Sequence, residues 1–293
     1  MAAITADVSL RATGRVRRRK LLNRVMEGIG TAAALIAVGV LALVIASVAV
    51  KAAPALTWHL FTQPPSLFGG QGGISSAIVG SALILGMATG MAVPVGVLAA
   101  IFLVEFAPRW LSAPIQLVLD MLNGMPTIIT GIFVYGLLVI GHLQSAYAGA
   151  FALAVVMLPL VARATQEVLL LVPSALREAS LALGVSRWRT VAGVILPSAV
   201  GGVLTGTVIA IARVAGETAP LLFTCSIFGP QLSTDITKPL PNLPVLIFQY
   251  SEQPDPSLHQ QAWAASLILM AFVLVASIAA RALLARTRRK LER

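Results

Sequence analysis

Residues 177–197 read REASLALGVSRWRTVAGVILP and stand between two long apolar stretches. A charged segment of this kind, followed by a glycine and a new helix start, is unexpected inside a chain this apolar. Ser174 is suitably placed to cap a helix, and Gly184 suits the left-handed residue that ends one. The pattern predicts a short helix over about 174–184 and a second helix that Ser186 caps.

The short helix has one face of small and apolar side chains at helical spacing, formed by Leu176, Ala179, Ser180 and Leu183. Small residues permit close approach, so this face suits a groove on a partner protein. Arg177 and Glu178 flank the face and are candidates to fix its register. The alternative is an ordinary cytoplasmic loop helix without a partner.

The composition is that of a membrane protein. Hydrophobic residues make up 58% of the chain and charged residues only 11%, whereas a soluble domain typically has about 25% charged residues. The net charge of +10 comes mostly from the two ends, because seven of the 21 Lys and Arg residues lie in 11–24 and six in 281–293. Basic ends beside apolar spans follow the positive-inside rule, so no nucleic-acid partner is expected.

Five segments contain no Asp, Glu, Lys or Arg, namely 28–50, 74–104, 121–162, 191–212 and 256–280. A transmembrane helix needs about 20 apolar residues, so 121–162 is long enough for two helices, with a break predicted at 141–145. Runs this apolar favour helices in lipid. The sequence therefore predicts an all-α protein with six transmembrane helices, the second of which is kinked at Gly90 and Pro94.

An even number of spans places both termini on one side, and their basic residues assign that side to the cytoplasm. The loop at 173–190 falls on the same side and carries three arginines, whereas the opposite loops carry one lysine each. We therefore expect a basic cytoplasmic tail at 1–27, a six-helix domain at 28–285 and a second basic tail at 286–293.

Two arginine–glutamate pairs lie at a spacing of four residues near the ends of the fourth and fifth spans. They are Arg163 with Glu167 and Arg213 with Glu217, and each pair can meet on one helix face. Charges within a bilayer usually line a water-filled path. The alternative is that each arginine only neutralises its glutamate or reaches an interface. Arginine suits oxyanions, and phosphate, unlike sulfate, keeps an O–H that a carboxylate accepts. The pairs therefore favour phosphate.

A polar stripe is predicted on the third span, where Asn123, Thr127 and Thr130 follow helical spacing. These side chains either line the path or form hydrogen bonds between helices. His142 and His259 have no evident third metal ligand, so no metal site is expected. The chain contains no Walker A pattern, so ATP hydrolysis by this chain is not expected.

Residues 177–197 resemble the coupling-helix signature of ABC importer permeases, which is Glu-Ala-Ala, three residues, Gly, nine residues and Ile-x-Leu-Pro. The matching positions are Glu178, Ala179, Gly184, Leu196 and Pro197, with Ser180 and Val194 as small or apolar replacements. Four other segments resemble the A-type permeases of phosphate-specific (Pst) ABC transport systems: GGISSAIVGS at 72–81, LNGMPTIITGIFVYG at 122–136, LPLVARATQE at 158–167 and ARVAGETAPLLFT at 212–224.

The resemblance implies a multi-pass bacterial inner-membrane permease of the type I importer (MetI-like) kind that takes up inorganic phosphate. It implies a heterodimer with a second phosphate permease, a homodimeric ATPase that holds ATP and Mg, and an extracytoplasmic phosphate-binding protein. It also implies transport roles for Arg163, Arg213, Glu217 and Glu167, and a role in ATPase coupling for the segment from Arg177 to Gly184.

Three alternatives remain at this point. The first is a permease for another oxyanion, such as sulfate or molybdate. The second is a secondary transporter or channel that works alone, which would have no use for a helix that docks on an ATPase. The third is a membrane-bound enzyme, for which the sequence offers no catalytic cluster. We expect a non-catalytic subunit without a cofactor of its own.

Overall fold

The computed structural model describes residues 14–65, 72–226 and 233–291, and its regular structure there is helical. The α-helices of these ranges are α1 (Arg15–Ala52), α2 (Trp58–Thr62), α3 (Ser75–Ile101), α4 (Arg109–Gly124), α5 (Thr127–Val134), α6 (Ala146–Leu170), α7 (Ser174–Ala182), α8 (Arg187–Thr190), α9 (Leu196–Val214), α10 (Ala219–Thr224), α11 (Leu243–Ser251) and α12 (Pro256–Leu291). Wider π-helical turns extend α3 over Phe102–Phe106 and α5 over Tyr135–Val139, and another leads into α9 over Val191–Ile195.

Five helical stretches of the described residues are long and apolar enough to cross a membrane. They are Arg17–Ala55, Ser75–Phe106, Ala146–Leu170, Arg187–Val214 and Pro256–Ala282. A further crossing is formed by Arg109–Gly124 and Thr127–Val139, which are bent by 100° at their junction. With that pair counted as one span, the total is the predicted six. The predicted break at 141–145 is confirmed, because α6 begins at Ala146 after a turn in which Gly141 has φ of 82°.

The third span is not the single helix that the sequence predicted. Met125 has extended backbone angles, with φ of −76° and ψ of 133°, and Pro126 follows it. A residue before proline is disfavoured in helical conformation, and the proline ring removes a backbone donor. The helix therefore ends at Gly124 and restarts at Thr127. In contrast, α3 is helical without interruption through Pro94, and the kink there stays a prediction.

Helices α1 and α12 extend into the segments that were predicted as basic tails. The first 13 residues and the last two lie outside the described residues. Within the described part, α1 begins at Arg15 and runs through position 28 without a boundary, and α12 extends to Leu291. Among the described residues, those up to Val50 form one compact unit, and those from Lys51 onward form another.

The second unit is centred on α6, whose buried positions are mainly alanine and glycine with a few larger apolar side chains. It packs against α3 and against α9, where small residues allow the backbones to approach closely. A Cβ atom on Gly206 would lie 2.7 Å from that of Ala164, and one on Gly202 would lie 2.5 Å from Val168. These contacts fix an antiparallel register between α6 and α9.

A substitution of Gly80 tests the contact between α3 and the segment before α11. A Cβ atom on Gly80 would collide with the backbone carbonyl of Pro241. We expect Gly80→Ala to destabilise the protein by about 1–3 kcal/mol, the usual cost of overpacking. Thermal unfolding of the purified protein in detergent measures this change. Gly90→Ala is the matched control in the same helix, because nothing lies within 4 Å of that position. Equal melting temperatures for the two variants would contradict the contact.

Candidate functional site

Two interrupted helices meet beside α6. One is the pair α4 and α5, and the other is the pair α9 and α10. At their meeting point the hydroxyl of Thr127 donates a hydrogen bond of 3.1 Å to Oε2 of Glu217. A Cβ atom on Gly131 would lie 2.9 Å from the Cα of Pro220, so α5 and α10 run side by side beyond the two breaks.

The register of α9 against α6 places this meeting point along the span. Gly206 faces Ala164, and the two helices run in opposite directions. Seven residues later, Arg213 is therefore level with about residue 157 of α6. That position is 11 residues from Ala146, the first residue of α6, or about 16 Å along the axis. The hydrocarbon core of a bilayer is about 30 Å thick, so a span that enters this core near Ala146 has the two breaks near its middle.

Arg213 and Glu217 do not form the predicted pair on one helix face. α9 ends at Val214, and Glu217 belongs to the non-helical stretch before α10, so the helical spacing does not apply. Within the part of the chain that the structure describes, neither side chain has an ion-pair partner within 4 Å. The Arg213 side chain is exposed and Glu217 is half-buried, so the guanidinium is open to a ligand while the carboxylate is held by Thr127.

Arg163 forms an ion pair with Asp120 of α4, not with Glu167. The distance from Nη1 of Arg163 to Oδ1 of Asp120 is 3.5 Å, and both side chains are 47% exposed. An exposed ion pair contributes about 0–1 kcal/mol, so this contact opens easily. Arg163 lies six residues beyond the level of Arg213, which is about 9 Å closer to α7.

Asp120 was not among the predicted site residues, because it stands immediately before the charge-free segment 121–162 and so marks the end of a loop by charge alone. Glu167, the predicted partner of Arg163, instead borders a cavity of about 600 Å³ between α6 and α9. It is the charged member of a lining that is otherwise mostly small and apolar. Among the described residues, Glu167 forms no ion pair with either arginine.

The polar stripe predicted on the third span is also divided. Asn123 is exposed on α4, whereas Thr127 and Thr130 belong to α5 beyond the 100° bend. Thr130 is buried, and Thr127 is the member that contacts a charged candidate, Glu217. The spacing of i, i+4 and i+7 failed because Pro126 interrupts the helix between the first and second members.

The predicted short helix is α7. Its N-cap residue is Pro173, so Ser174 is the first helical residue and not the cap. Gly184 ends the segment with φ of 75°, as predicted. Its N–H donates to the carbonyl of Leu181 at 3.0 Å, and the N–H of Val185 donates to that of Ser180 at 3.2 Å. These two bonds form a Schellman motif.

The face predicted for a partner is only partly accessible. Ser180 is buried and shares a hydrogen bond of 2.9 Å with the hydroxyl of Thr190 at the end of α8. Arg177 points toward α3, where it meets Glu105. The exposed residues of the segment include Leu176, Glu178, Ala179, Leu181 and Leu183. Ser186 holds the N-cap position of α8, but its side chain makes no capping bond.

Long apolar helices, two interruptions at the middle of the span and a short exposed helix at one end define the permease class of integral membrane proteins. The chain belongs to the family of binding-protein-dependent transport system inner membrane components, whose model matches residues 92–289.

Relatives of this chain are similar over most of their length. It is 40% identical to the phosphate transport system permease protein PstA of Yersinia pestis over 276 residues, and this aligned stretch covers 92% of each chain. It is 41% identical to PstA of Haemophilus influenzae, over 90% of this chain and 94% of that one. It is 38% identical to PstA 1 of Mycobacterium tuberculosis strain H37Rv, over 71% of this chain and 68% of that one.

Solved structures share the fold at low sequence identity. A chain of the MetNI methionine ABC transporter in an inward-facing conformation superposes with a TM-score of 0.59 and 18% identity, covering 72% of this chain and 96% of that chain. A chain of an amino acid ABC transporter with histidines superposes with a TM-score of 0.51 and 20% identity, covering 74% and 92%. The all-helical fold is that of ABC importer permeases.

Proposed function

We propose that this chain is the permease subunit of an ATP-driven importer of inorganic phosphate, in which it forms half of the translocation path. The observation that carries the substrate assignment is the identity of 40% to a phosphate transport permease over 92% of both chains. The exposed arginine at the middle of the span supports an anionic substrate over the amino acids of the structural neighbours.

The other subunits follow from the same assignment. A second phosphate permease completes the path, a homodimeric ATPase holds ATP and Mg, and an extracytoplasmic protein delivers phosphate. The exposed part of α7 is the proposed docking site for the ATPase. Leu183, which is 83% exposed, and the neighbouring apolar side chains suit a groove on that subunit. The excess of Lys and Arg near both ends of the chain favours a cytoplasmic location for both termini and for α7, with the remaining apolar surface in lipid.

The geometry suggests how phosphate moves. Phosphate that arrives from outside meets the guanidinium of Arg213, which offers planar paired donors. The Glu217 carboxylate, oriented by Thr127, accepts the O–H that phosphate retains at neutral pH. Arg163 lies about 9 Å further along and is held by a weak ion pair to Asp120. Phosphate displaces Asp120 from Arg163 and so continues toward the cytoplasm.

Uptake by a reconstituted system tests the assignment. The chain is assembled in liposomes with its second permease, ATPase and binding protein, and uptake of radiolabelled phosphate is measured with and without ATP. We expect ATP-dependent uptake that excess sulfate or molybdate does not reduce. Transport of sulfate or molybdate without phosphate transport would assign another oxyanion, and uptake without the ATPase would indicate a carrier that works alone.

Glu217→Gln tests the role of the carboxylate in selectivity. A site that accepts a hydrogen bond from a substrate hydroxyl discriminates strongly against an analogue without one. Glutamine keeps the shape of the side chain but can donate a hydrogen bond to sulfate. We therefore expect the preference for phosphate over sulfate to fall by at least about tenfold. The measurement is ATPase stimulation by each anion in a complex that does not require the binding protein. Thr127→Val, which removes the hydrogen bond that orients Glu217, should change the ratio in the same direction but less. An unchanged ratio in both variants would mean that selectivity lies elsewhere.

A further inference from the structure

Arg177 makes a dense set of polar contacts at the base of α7. Its Nε and Nη2 donate to Oε1 of Glu105 at 3.1 and 2.8 Å. Nη1 donates to the carbonyl of Val172 at 2.6 Å, and Nη2 donates to that of Leu169 at 2.8 Å. The side chains of Glu105 and Arg177 are 10% and 23% exposed, so this ion pair is much less accessible than the one between Arg163 and Asp120.

These contacts connect three separate elements. Glu105 belongs to the π-helical turn that ends α3, and Leu169 is in the last turn of α6. The carbonyl groups at the end of a helix lack intrahelical donors, and Arg177 supplies them. Because α7 comes directly after α6 in the chain, the short connection between them already makes α7 move with α6, and no side-chain contact is needed for that. Its connection to α3 is different, because α3 is distant in the sequence.

The ion pair is the polar connection between α7 and α3 among the described hydrogen bonds and ion pairs. A cavity of about 290 Å³ lies beside it and is lined by residues of α7, α8 and the end of α3, including Leu181 and Arg187. Apolar side chains therefore do not fill the space between α7 and α3. A motion of α7 reaches α3 through the ion pair more directly than through packing.

We propose that Glu105 is a positioning residue that, through Arg177, makes α7 move together with α3. This inference rests on the proposed function, in which ATP-driven motion of the ATPase enters the permease at α7. It assigns Arg177 to transmission inside the chain and not to contact with the ATPase. The exposed residues of α7 then make the contact, and the Glu105–Arg177 pair carries the movement into the second span.

The test compares Glu105→Gln with the wild type in the assembled complex. Glutamine keeps the size of the side chain but removes its charge, so the ion pair with Arg177 is replaced by, at most, a weaker hydrogen bond to the neutral side chain. We expect phosphate imported per ATP hydrolysed to fall by about fivefold, the lower end of typical coupling between sites, while ATP hydrolysis continues. Glu27→Gln is the matched control, because Glu27 is exposed on α1 and forms no ion pair within the described residues. An unchanged ratio in Glu105→Gln would overturn the proposal.

Distances between spin labels give a second measurement that does not depend on the substrate. Labels on Phe106→Cys and Ser186→Cys report the separation of α3 from the turn that follows α7, and the native Cys225 is fully buried. We expect one narrow distance distribution that shifts as a unit with ATP, and a broad distribution in Glu105→Gln. Distance distributions of equal width in the wild type and in Glu105→Gln would overturn the proposal, whether or not the complex imports phosphate. Failure of the wild-type complex to import phosphate would count against the proposed function alone.

Glu105→Asp separates positioning from a merely structural role, and it also serves if the glutamine variant does not assemble. Aspartate keeps the charge but is one methylene shorter. We expect it to recover most of the coupling ratio and a narrow label distribution. Loss of coupling in Glu105→Asp equal to that in Glu105→Gln would mean that a carboxylate at position 105 is not sufficient for coupling, which would overturn the proposal.

Discussion

Replacing Arg213 with glutamine is expected to reduce phosphate uptake by about 30-fold or more. The guanidinium is exposed near the middle of the span, at the meeting point of the two interrupted helices. A hydrogen bond to a charged group contributes about 1.5–3 kcal/mol, and a loss of about 2 kcal/mol corresponds to that factor. Uptake of radiolabelled phosphate by the reconstituted complex measures the effect.

Two further variants make the Arg213 experiment specific. Arg109→Gln removes an exposed arginine at the start of α4 and should leave uptake near normal. Arg213→Lys keeps the charge but loses the planar fork, so its uptake should be intermediate. Full uptake by Arg213→Gln at normal levels of assembled complex would show that Arg213 serves only as a structural charge.

Gly184→Val is expected to abolish the coupling of ATP hydrolysis to transport while the membrane spans still assemble. Gly184 has φ of 75°, a region that a β-branched residue adopts only at a cost of about 1–3 kcal/mol. The Schellman motif that ends α7 would open, and the exposed Leu183 would leave its position. The ratio of phosphate imported to ATP hydrolysed, measured in the same vesicles, should fall at least as far as in Glu105→Gln.

Gly184→Asn is the matched control for that substitution. Asparagine adopts the left-handed conformation more readily than valine, so coupling should be largely retained. Space does not explain a difference between the two variants, because no atom lies within 4 Å of a Cβ at this position. If both variants couple as well as the wild type, the geometry at the end of α7 is not required for transmission.

Local signals in the sequence were sufficient where one residue decides the backbone. Gly184 marked the end of α7, and the hydrophobic runs marked the spans, because apolar length and glycine conformation act within a few residues. The interruption before Thr127 was missed although Pro126 was visible. The absence of charged residues shows that a segment suits lipid, but it does not show where a proline removes a backbone N–H and interrupts the helix.

The ionic contacts could not be predicted in the same way. Arg163 pairs with Asp120 and Arg177 with Glu105, and both contacts join residues that are distant in the chain. Spacing of four residues identifies neighbours only while a helix continues, and α9 ends before Glu217. Gly216, directly before Glu217, was the available sign that the helix stops there. Which helices pack together decides such partners, and one sequence does not contain that information.

The meeting of two helix breaks beside α6 changes the dielectric barrier that an ion encounters. Each break leaves peptide N–H and C=O groups outside the regular helical pattern, and such groups in a membrane must be satisfied by protein or water. Gathered at one level, they form a polarisable layer that divides an insulating slab of about 30 Å into two of about 15 Å. The electrostatic self-energy of an ion is lower at the centre of such a divided slab. Apolar substitutions around the breaks should therefore raise the barrier to anion passage even where every charged side chain is retained.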